Sequence, residues 1–314
     1  MASPAMRDIP DGVDARRAKH PDHRFRPTDH GERMGEVRRW AGLTLDRPRV
    51  MGVLNVTPDS FSDGGDFLDS DAAIAAGLAM AAAGADIVDV GGESTRPASQ
   101  RTSPEEEQAR IIPVIAALAG AGLCVSVDTR NASTMALALD AGAAIINDVY
   151  ALRFDPAAAP LVAARGCPVI MMHMRGTPAD MYAQAHYADV AADVVRELGC
   201  SVAMAENAGV GRGNIVVDPG IGFAKTAGQS VELLRRMPEL DALGLPILVG
   251  VSRKSFIGTV TGERDPKGRL AGSLAAGLAA LSRGASILRV HDVAETIEAI
   301  KVWQALAMLP FPGA

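Results

Sequence analysis

Apolar residues in this chain come in short runs that stop on a polar residue, and the pattern repeats down the sequence. The first run is Val50-Met51-Gly52-Val53-Leu54, closed by Asn55. A polar, turn-rich stretch follows over residues 56–66, with Pro58, Asp59, Ser60, Ser62, Asp63 and Gly64-Gly65. A continuous apolar run of this length suits a strand covered on both faces, as in a parallel sheet. Eight such runs are predicted as strands, at 50–55, 86–91, 124–128, 144–147, 168–173, 215–218, 247–251 and 286–289. Helical stretches follow at 72–83, 104–119, 132–141, 155–165, 190–208, 229–236, 270–283 and 294–309. Ser103-Pro104-Glu105-Glu106 reads as a cap, a proline and an acidic first turn. Gly84, Gly120, Gly142, Gly166, Gly209 and Gly284 stand at helix ends, where a left-handed residue closes the last turn.

Alternating strands and helices predict a parallel sheet. Eight units in about 265 residues match a (β/α)8 TIM barrel. An open, doubly wound sheet is the alternative, but no GxGxxG follows the first strand. The barrel predicts where function lies. Asn55, the cluster around Glu93, Asp128, Asn147, His173, Asp218, Lys254, Arg289 and His291 all stand at or just beyond strand ends. In a barrel those ends ring one face, the face that carries active sites.

Residues 1–46 differ from the rest, being rich in Arg, Asp, His and Pro and without helical periodicity. They are expected to form a poorly ordered N-terminal extension, and residues 47–314 the barrel domain. His20, His23 and His30 belong to that extension and read as solvated. Residues 38–45, with Trp40 and Leu43, predict a short strand or hairpin closing the bottom of the body.

Composition narrows the class. Of 314 residues, 48% are apolar and 22% charged, and the formal net charge is -6. That balance suits an enzyme acting on small molecules and gives nucleic acid no basic footprint. No stretch reaches the roughly 20 apolar residues of a membrane span. The first residues are polar, so the expected location is cytoplasmic. Cys124, Cys167 and Cys200 lie far apart with no CxxC, and read as free thiols.

Two strand ends carry the candidate chemistry. Val217-Asp218-Pro219-Gly220-Ile221-Gly222-Phe223 places a carboxylate before a Gly-rich turn. Asp218 is either a helix-capping residue or an acceptor for the N–H groups of a planar heterocycle, and Asp128 and Asn147 could reach the same ring edge. Ser252-Arg253-Lys254-Ser255 and Arg289-Val290-His291-Asp292 supply positive charge after strands seven and eight, the usual phosphate corner of a barrel. Arg289 suits either bidentate phosphate contact or a salt bridge. No Walker glycine-lysine motif is present. His173 in Met171-Met172-His173-Met174 is as well explained by a structural hydrogen bond as by a site.

Taken in order, NVTPDSFSDGG, GGESTRP, VDT, IINDV, DPGIGF, SRKSFIG and RVHD resemble the dihydropteroate synthase family, from about residue 48 to residue 310. The resemblance implies a transferase of folate biosynthesis. A dihydropterin pyrophosphate condenses with 4-aminobenzoate, pyrophosphate leaves first, and the arylamine attacks the resulting pterin cation. It implies Asp128, Asn147, Asp218, Lys254, Arg289 and His291 as catalytic residues. Asp128, Asn147, Met172, Asp218 and Lys254 would hold the pterin. Asn55, Thr95, Arg289 and His291 would hold pyrophosphate, with Asn55 as ligand to Mg²⁺. Thr95, Arg96, Pro97, Gly222, Phe223 and Ser252 would shape the aminobenzoate site. A homodimer is implied as well, with the last helix offering part of an interface. Departures from the family pattern stand at Ala98, Ala224 and Ser230. The alternatives are a barrel that passes a methyl group from a methylated folate to a corrinoid protein, and a non-catalytic pterin-binding paralogue.

Overall fold

The computed structural model describes residues 38–57, 65–93 and 102–308. A two-residue hairpin opens it, β1 (Arg39–Trp40) against β2 (Leu43–Thr44). The barrel strands are β3 (Arg49–Asn55), β4 (Ile87–Gly91), β5 (Val125–Asp128), β6 (Ile145–Asp148), β7 (Val169–Met172), β8 (Ile215–Asp218), β9 (Ile247–Val249) and β10 (Ala285–Val290). All pair in parallel and β10 closes on β3. The helices are α1 (Gly65–Ala82), α2 (Pro104–Gly120), α3 (Ala132–Asp140), α4 (Ala158–Arg165), α5 (Val190–Asn207), α6 (Ala227–Arg235), α7 (Ser255–Thr261), α8 (Leu270–Leu281) and α9 (Val293–Met308). None of the described helices is long and apolar enough to cross a membrane.

The eight expected strands are all present, within two residues at each end. Four helices differ in instructive ways. Helix α1 begins at Gly65 rather than 72, because its first turns carry no apolar period. Helix α4 begins at Ala158 rather than 155. Asp155 spends its carboxylate on backbone instead, accepting from Ala157 N and from Ala132 N at the start of α3. Helix α6 starts two residues early, because Thr226 and Gln229 form a capping box. Helix α7 was not expected at all, since seven residues are too few to show a period. Of the six helix-end glycines, five have positive φ, but after α2 Gly122 takes that role and not Gly120.

Two apolar layers hold the barrel. Outside, the strands pack on the helices. Inside, Met51, Ile87, Ile145, Ile170, Val216, Leu248 and Ile287 form one buried cluster, and Trp40 of the hairpin joins it. Trp40 is 3% exposed and donates from Nε1 to the Asn214 carbonyl at 2.8 Å. Beside it, Arg49 donates to Thr44 O and to Asp86, tying the hairpin to the barrel rim. The hairpin therefore closes the amino-terminal end of the barrel as expected, and leaves the other end for chemistry. Trp40→Ala should cost about 3–5 kcal/mol, read as a lower denaturation midpoint with an unchanged slope.

Candidate active site

Side chains alternate along a strand, so every second residue enters the barrel. The register then sets their height. Asn55 pairs with Gly91, Gly91 with Asp128, and Asp128 with Asn147. Across the barrel, Met172 pairs with Asp218. Asn55, Asp128, Asn147 and Asp218 thus gather at the carboxyl ends of their strands, with Asp89 two residues before Gly91 on β4.

Arg289 organises this group. It donates from Nε to Asp89 Oδ2 and from its terminal nitrogen to Asp128 Oδ2, both at 2.7 Å. Asn147 Nδ2 also donates to Asp89 Oδ2, at 2.9 Å. The salt-bridge alternative for Arg289 is therefore realised, but with two carboxylates inside the barrel rather than at the surface. Burial pushes the Asp128 carboxyl up to about 7, against the pull of Arg289. Burial likewise raises Asp218, whose Oδ1 accepts from Gly220 N at 2.7 Å. Lys254 is pushed down to about 8 by burial, opposed by Asp218, and its Nζ lies 4.0 Å from the centre of the Phe223 ring. Titratable groups displaced by burial and by one another, gathered at one barrel mouth, mark a functional site.

The corner beyond β9 and β10 brings His291 beside Ser252. His291 is pushed down to about 4, chiefly by burial, and its Nδ1 lies 3.1 Å from Ser252 Oγ. The ring is neutral at pH 7. Ser252 Oγ accepts from His291 N at 3.2 Å, and a hydrogen donated by Ser252 to Nδ1 would leave the ring hydrogen on Nε2. Arg253 is taken up by an ion pair with Asp292 and sits at φ 59.

Sequence reasoning missed Asp89. It is fully buried in mid-strand β4, where the run Ile87-Val88-Asp89-Val90 offered a signal: a lone carboxylate among apolar neighbours needs a partner. Its partner Arg289 is 200 residues away. His173 settles as a structural residue, bonded to Lys225 and Glu197. Met172 packs with Tyr150, Met174, Met181 and Ala224 beside Phe223, an apolar wall at the site's edge. Ala224, a departure from the family pattern, takes φ 48, a conformation glycine adopts more cheaply. Ser230 is buried and donates to Thr226 O at 2.9 Å. Thr95, Arg96, Pro97 and Ala98 lie outside the described residues, as do Asp59, Ser60, Ser62 and Asp63.

A site for Mg²⁺ can be tested on donor chemistry. No group of three or more His, Cys, Asp or Glu side chains gathers for a metal among the described residues. Asn55 stands half-buried at the end of β3 and offers a hard amide oxygen. That fits a Mg²⁺ ion whose remaining ligands are water and substrate oxygens.

Fold and site together define a parallel barrel whose mouth carries an arginine–carboxylate layer, and the family model described as "Pterin binding enzyme" matches residues 51–291. The dihydropteroate synthase of Mycobacterium leprae is 49% identical over 267 residues, covering 83% of this chain and 94% of that protein. A probable bifunctional folylpolyglutamate synthase/dihydropteroate synthase of Haloferax volcanii is 51% identical over 257 residues; the match takes in 82% of this chain and 30% of that longer protein. The Xanthomonas albilineans dihydropteroate synthase structure with 4-aminobenzoic acid superposes with a TM-score of 0.81 at 50% identity, covering 86% of this chain and 97% of that one. The chain belongs to the dihydropteroate synthase family.

Proposed function

We propose that the chain joins a dihydropterin pyrophosphate to 4-aminobenzoate, forming dihydropteroate and pyrophosphate. The observation that carries this is the Arg289–Asp89–Asp128 layer set beside Asn147, Asp218 and Lys254 at one barrel mouth. Asp128, Asn147, Asp218 and Lys254 hold the pterin edge, with Met172 against its face. Buried donors and acceptors discriminate strongly, because a wrong ring leaves them unsatisfied. Arg289 and the Nε2 hydrogen of His291 take the pyrophosphate oxygens, and stabilise the charge that grows there as the C–O bond breaks. Bound through Asn55, water and pyrophosphate, Mg²⁺ would neutralise further charge on the leaving group. Gly222, Phe223 and Ser252 form part of the aminobenzoate wall, to which Thr95, Arg96 and Pro97 are assigned as well. The amine loses one proton as its bond to the pterin methylene forms. An arylamine attacks such a cation without a strong base, which suits a site built for charge stabilisation.

The test is pyrophosphate release by the purified protein given dihydropterin pyrophosphate and Mg²⁺, with and without 4-aminobenzoate. Release coupled to dihydropteroate is the expected result. Chelating the divalent ion should slow release strongly, and magnesium alone should restore it. Pterin binding without product would place the chain among non-catalytic paralogues.

A cytoplasmic homodimer is part of the same proposal. Cys124, Cys167 and Cys200 are free thiols, which suits a reducing compartment. Helices α7, α8 and α9 together expose Val260, Ala271, Ala275, Val302 and Leu306, and Val260 is 69% exposed. A second copy of the chain is the occupant that this apolar stripe suits. Sedimentation should give twice the chain mass, and Val302→Glu with Leu306→Glu should give the monomer.

A further inference from the structure

The turn that carries Gly222 and Phe223 is costly to build. Gly220, Gly222 and Ala224 all have positive φ, at 66°, 82° and 48°. Gly220 also runs so close to the His173 carbonyl that a Cβ there would lie 2.0 Å from the oxygen. A strained turn keeps one shape only if its surroundings over-determine it.

Here one ammonium group holds the turn at two carbonyls. Lys225 is 2% exposed, and it heads the largest fully buried side chains among the described residues. Its Nζ donates to Gly220 O at 3.0 Å and to Phe223 O at 3.1 Å, the two ends of the turn. The third bond goes to His173 Nδ1 at 2.9 Å. Burial pushes Lys225 down to about 7, opposed by Asp218, and in its ammonium form three donors meet three acceptors. With Lys225 protonated, Nδ1 of His173 must accept, which puts the ring hydrogen on Nε2, 3.1 Å from Glu197 Oε2. Glu197 is in turn paired with Arg175, whose guanidinium lies 3.9 Å from the centre of the Tyr187 ring. Tyr187 closes the circuit by donating its hydroxyl to Ala224 O at 2.9 Å. A methionine would fill the same space without the desolvation cost of a buried charge. What the ammonium accomplishes is to hold the carbonyl oxygens of Gly220 and Phe223.

We propose that Lys225 is a positioning residue: clamped by His173 and Glu197, it fixes the turn from Gly220 to Ala224 so that Gly222 and Phe223 present a preformed wall to the aminobenzoate. The inference rests on assigning that wall to the aminobenzoate site. Asp218 depends on it less, because strand β8 itself carries that residue and only one of its bonds, from Gly220 N, comes from the turn. Lys225 therefore acts on one substrate more than on the other.

Lys225→Met is the direct test. Its KM for 4-aminobenzoate should rise about tenfold, since small misplacements of a binding wall carry such losses. KM for the dihydropterin pyrophosphate should change less than threefold. A second pair of variants covers a failure of Lys225→Met to fold. His173→Gln can still accept from Lys225 and donate to Glu197, and should keep the wild-type KM. His173→Leu can do neither and should raise the aminobenzoate KM. Nitrogen-15 spectra of the His173 ring give a readout independent of turnover. The wild-type ring should show the Nε2–H form and stay neutral through pH 6. In Lys225→Met the cation is gone while Glu197 remains and Arg175 is unchanged, so the ring should begin to protonate at higher pH. An unchanged aminobenzoate KM in a folded Lys225→Met protein, an equal rise in both KM values, or equal KM values for the two His173 variants would overturn the proposal. A wild-type chain that makes no dihydropteroate overturns the functional assignment itself. The ring spectra separate that failure from a faulty clamp, because they report the Lys225–His173 bond without any turnover.

Discussion

Arg289→Met will lower kcat/KM by roughly 10³ and destabilise the protein by about 3–5 kcal/mol. The two losses have one cause. Arg289 bonds Asp89 and Asp128 at once, inside the barrel, and Asp89 is fully buried. Removing the guanidinium strands two carboxylates in a site that cannot hydrate them as bulk water does. The catalytic loss follows from the same group, which the proposed function assigns to the leaving pyrophosphate. Titration gives the sign of the pH effect. Asp128 is raised to about 7 in the folded chain, above its ordinary carboxylate value. Between those limits the folded chain keeps a proton that the unfolded chain has lost, so this carboxyl lowers stability as pH rises through the window. Without Arg289 the folded value climbs further, and the destabilising window extends to higher pH. Urea unfolding at pH 5, 7 and 8.5 checks this: the gap between variant and wild type should widen with pH. A constant gap would mean that Asp128 does not depend on Arg289.

Lys254→Ala should behave differently, with turnover down by about 10²–10³ and stability little changed. Lys254 is a desolvated cation, pushed down to about 8 by burial, with Asp218 as its main support and Phe223 beneath it. Its loss removes charge that the proposed function assigns to the pterin, and also removes a cost of burial. A folded value below the ordinary lysine value means that the ammonium is disfavoured in the folded chain. Its contribution to stability therefore improves as pH rises from about 8 towards 10. Catalysis needs the protonated form, so wild-type kcat should fall as pH passes about 8. Steady-state kinetics with Lys254→Ala and Lys254→Met, beside unfolding curves, separate the two effects. Near-normal turnover in either variant would remove Lys254 from the mechanism.

Particular elements show what was legible beforehand. Strands β3 to β10 could be read because each is a short apolar run bounded by turn residues, a signal carried by adjacent positions. The same holds for helix α2, whose capping box is written in Ser103 and Glu106. Asn55, Asp128, Asn147, Asp218 and Arg289 could be picked out because they break apolar runs at their carboxyl ends. Helix α7 could not, and neither could the early start of α1, because a few residues without a clear period leave helix and loop equally plausible.

The chain by itself determined an ordered series of strands and helices, a plugged lower end and a polar upper one, and a family resemblance strong enough to name the chemistry. Only tertiary closure decided the partners. Asp89 sits in mid-strand, and nothing near it in sequence says that Arg289 will neutralise it from the far end of the chain. Asp128 and Asp218 become high-titrating groups only when the barrel excludes water around them. Lys225 looks like any surface lysine until the turn from Gly220 to Ala224 folds over its ammonium. Periodicity and turn chemistry are local and survive in a one-dimensional record. Desolvation and charge pairing depend on which distant groups share the same dry space, and the closed barrel alone sets that.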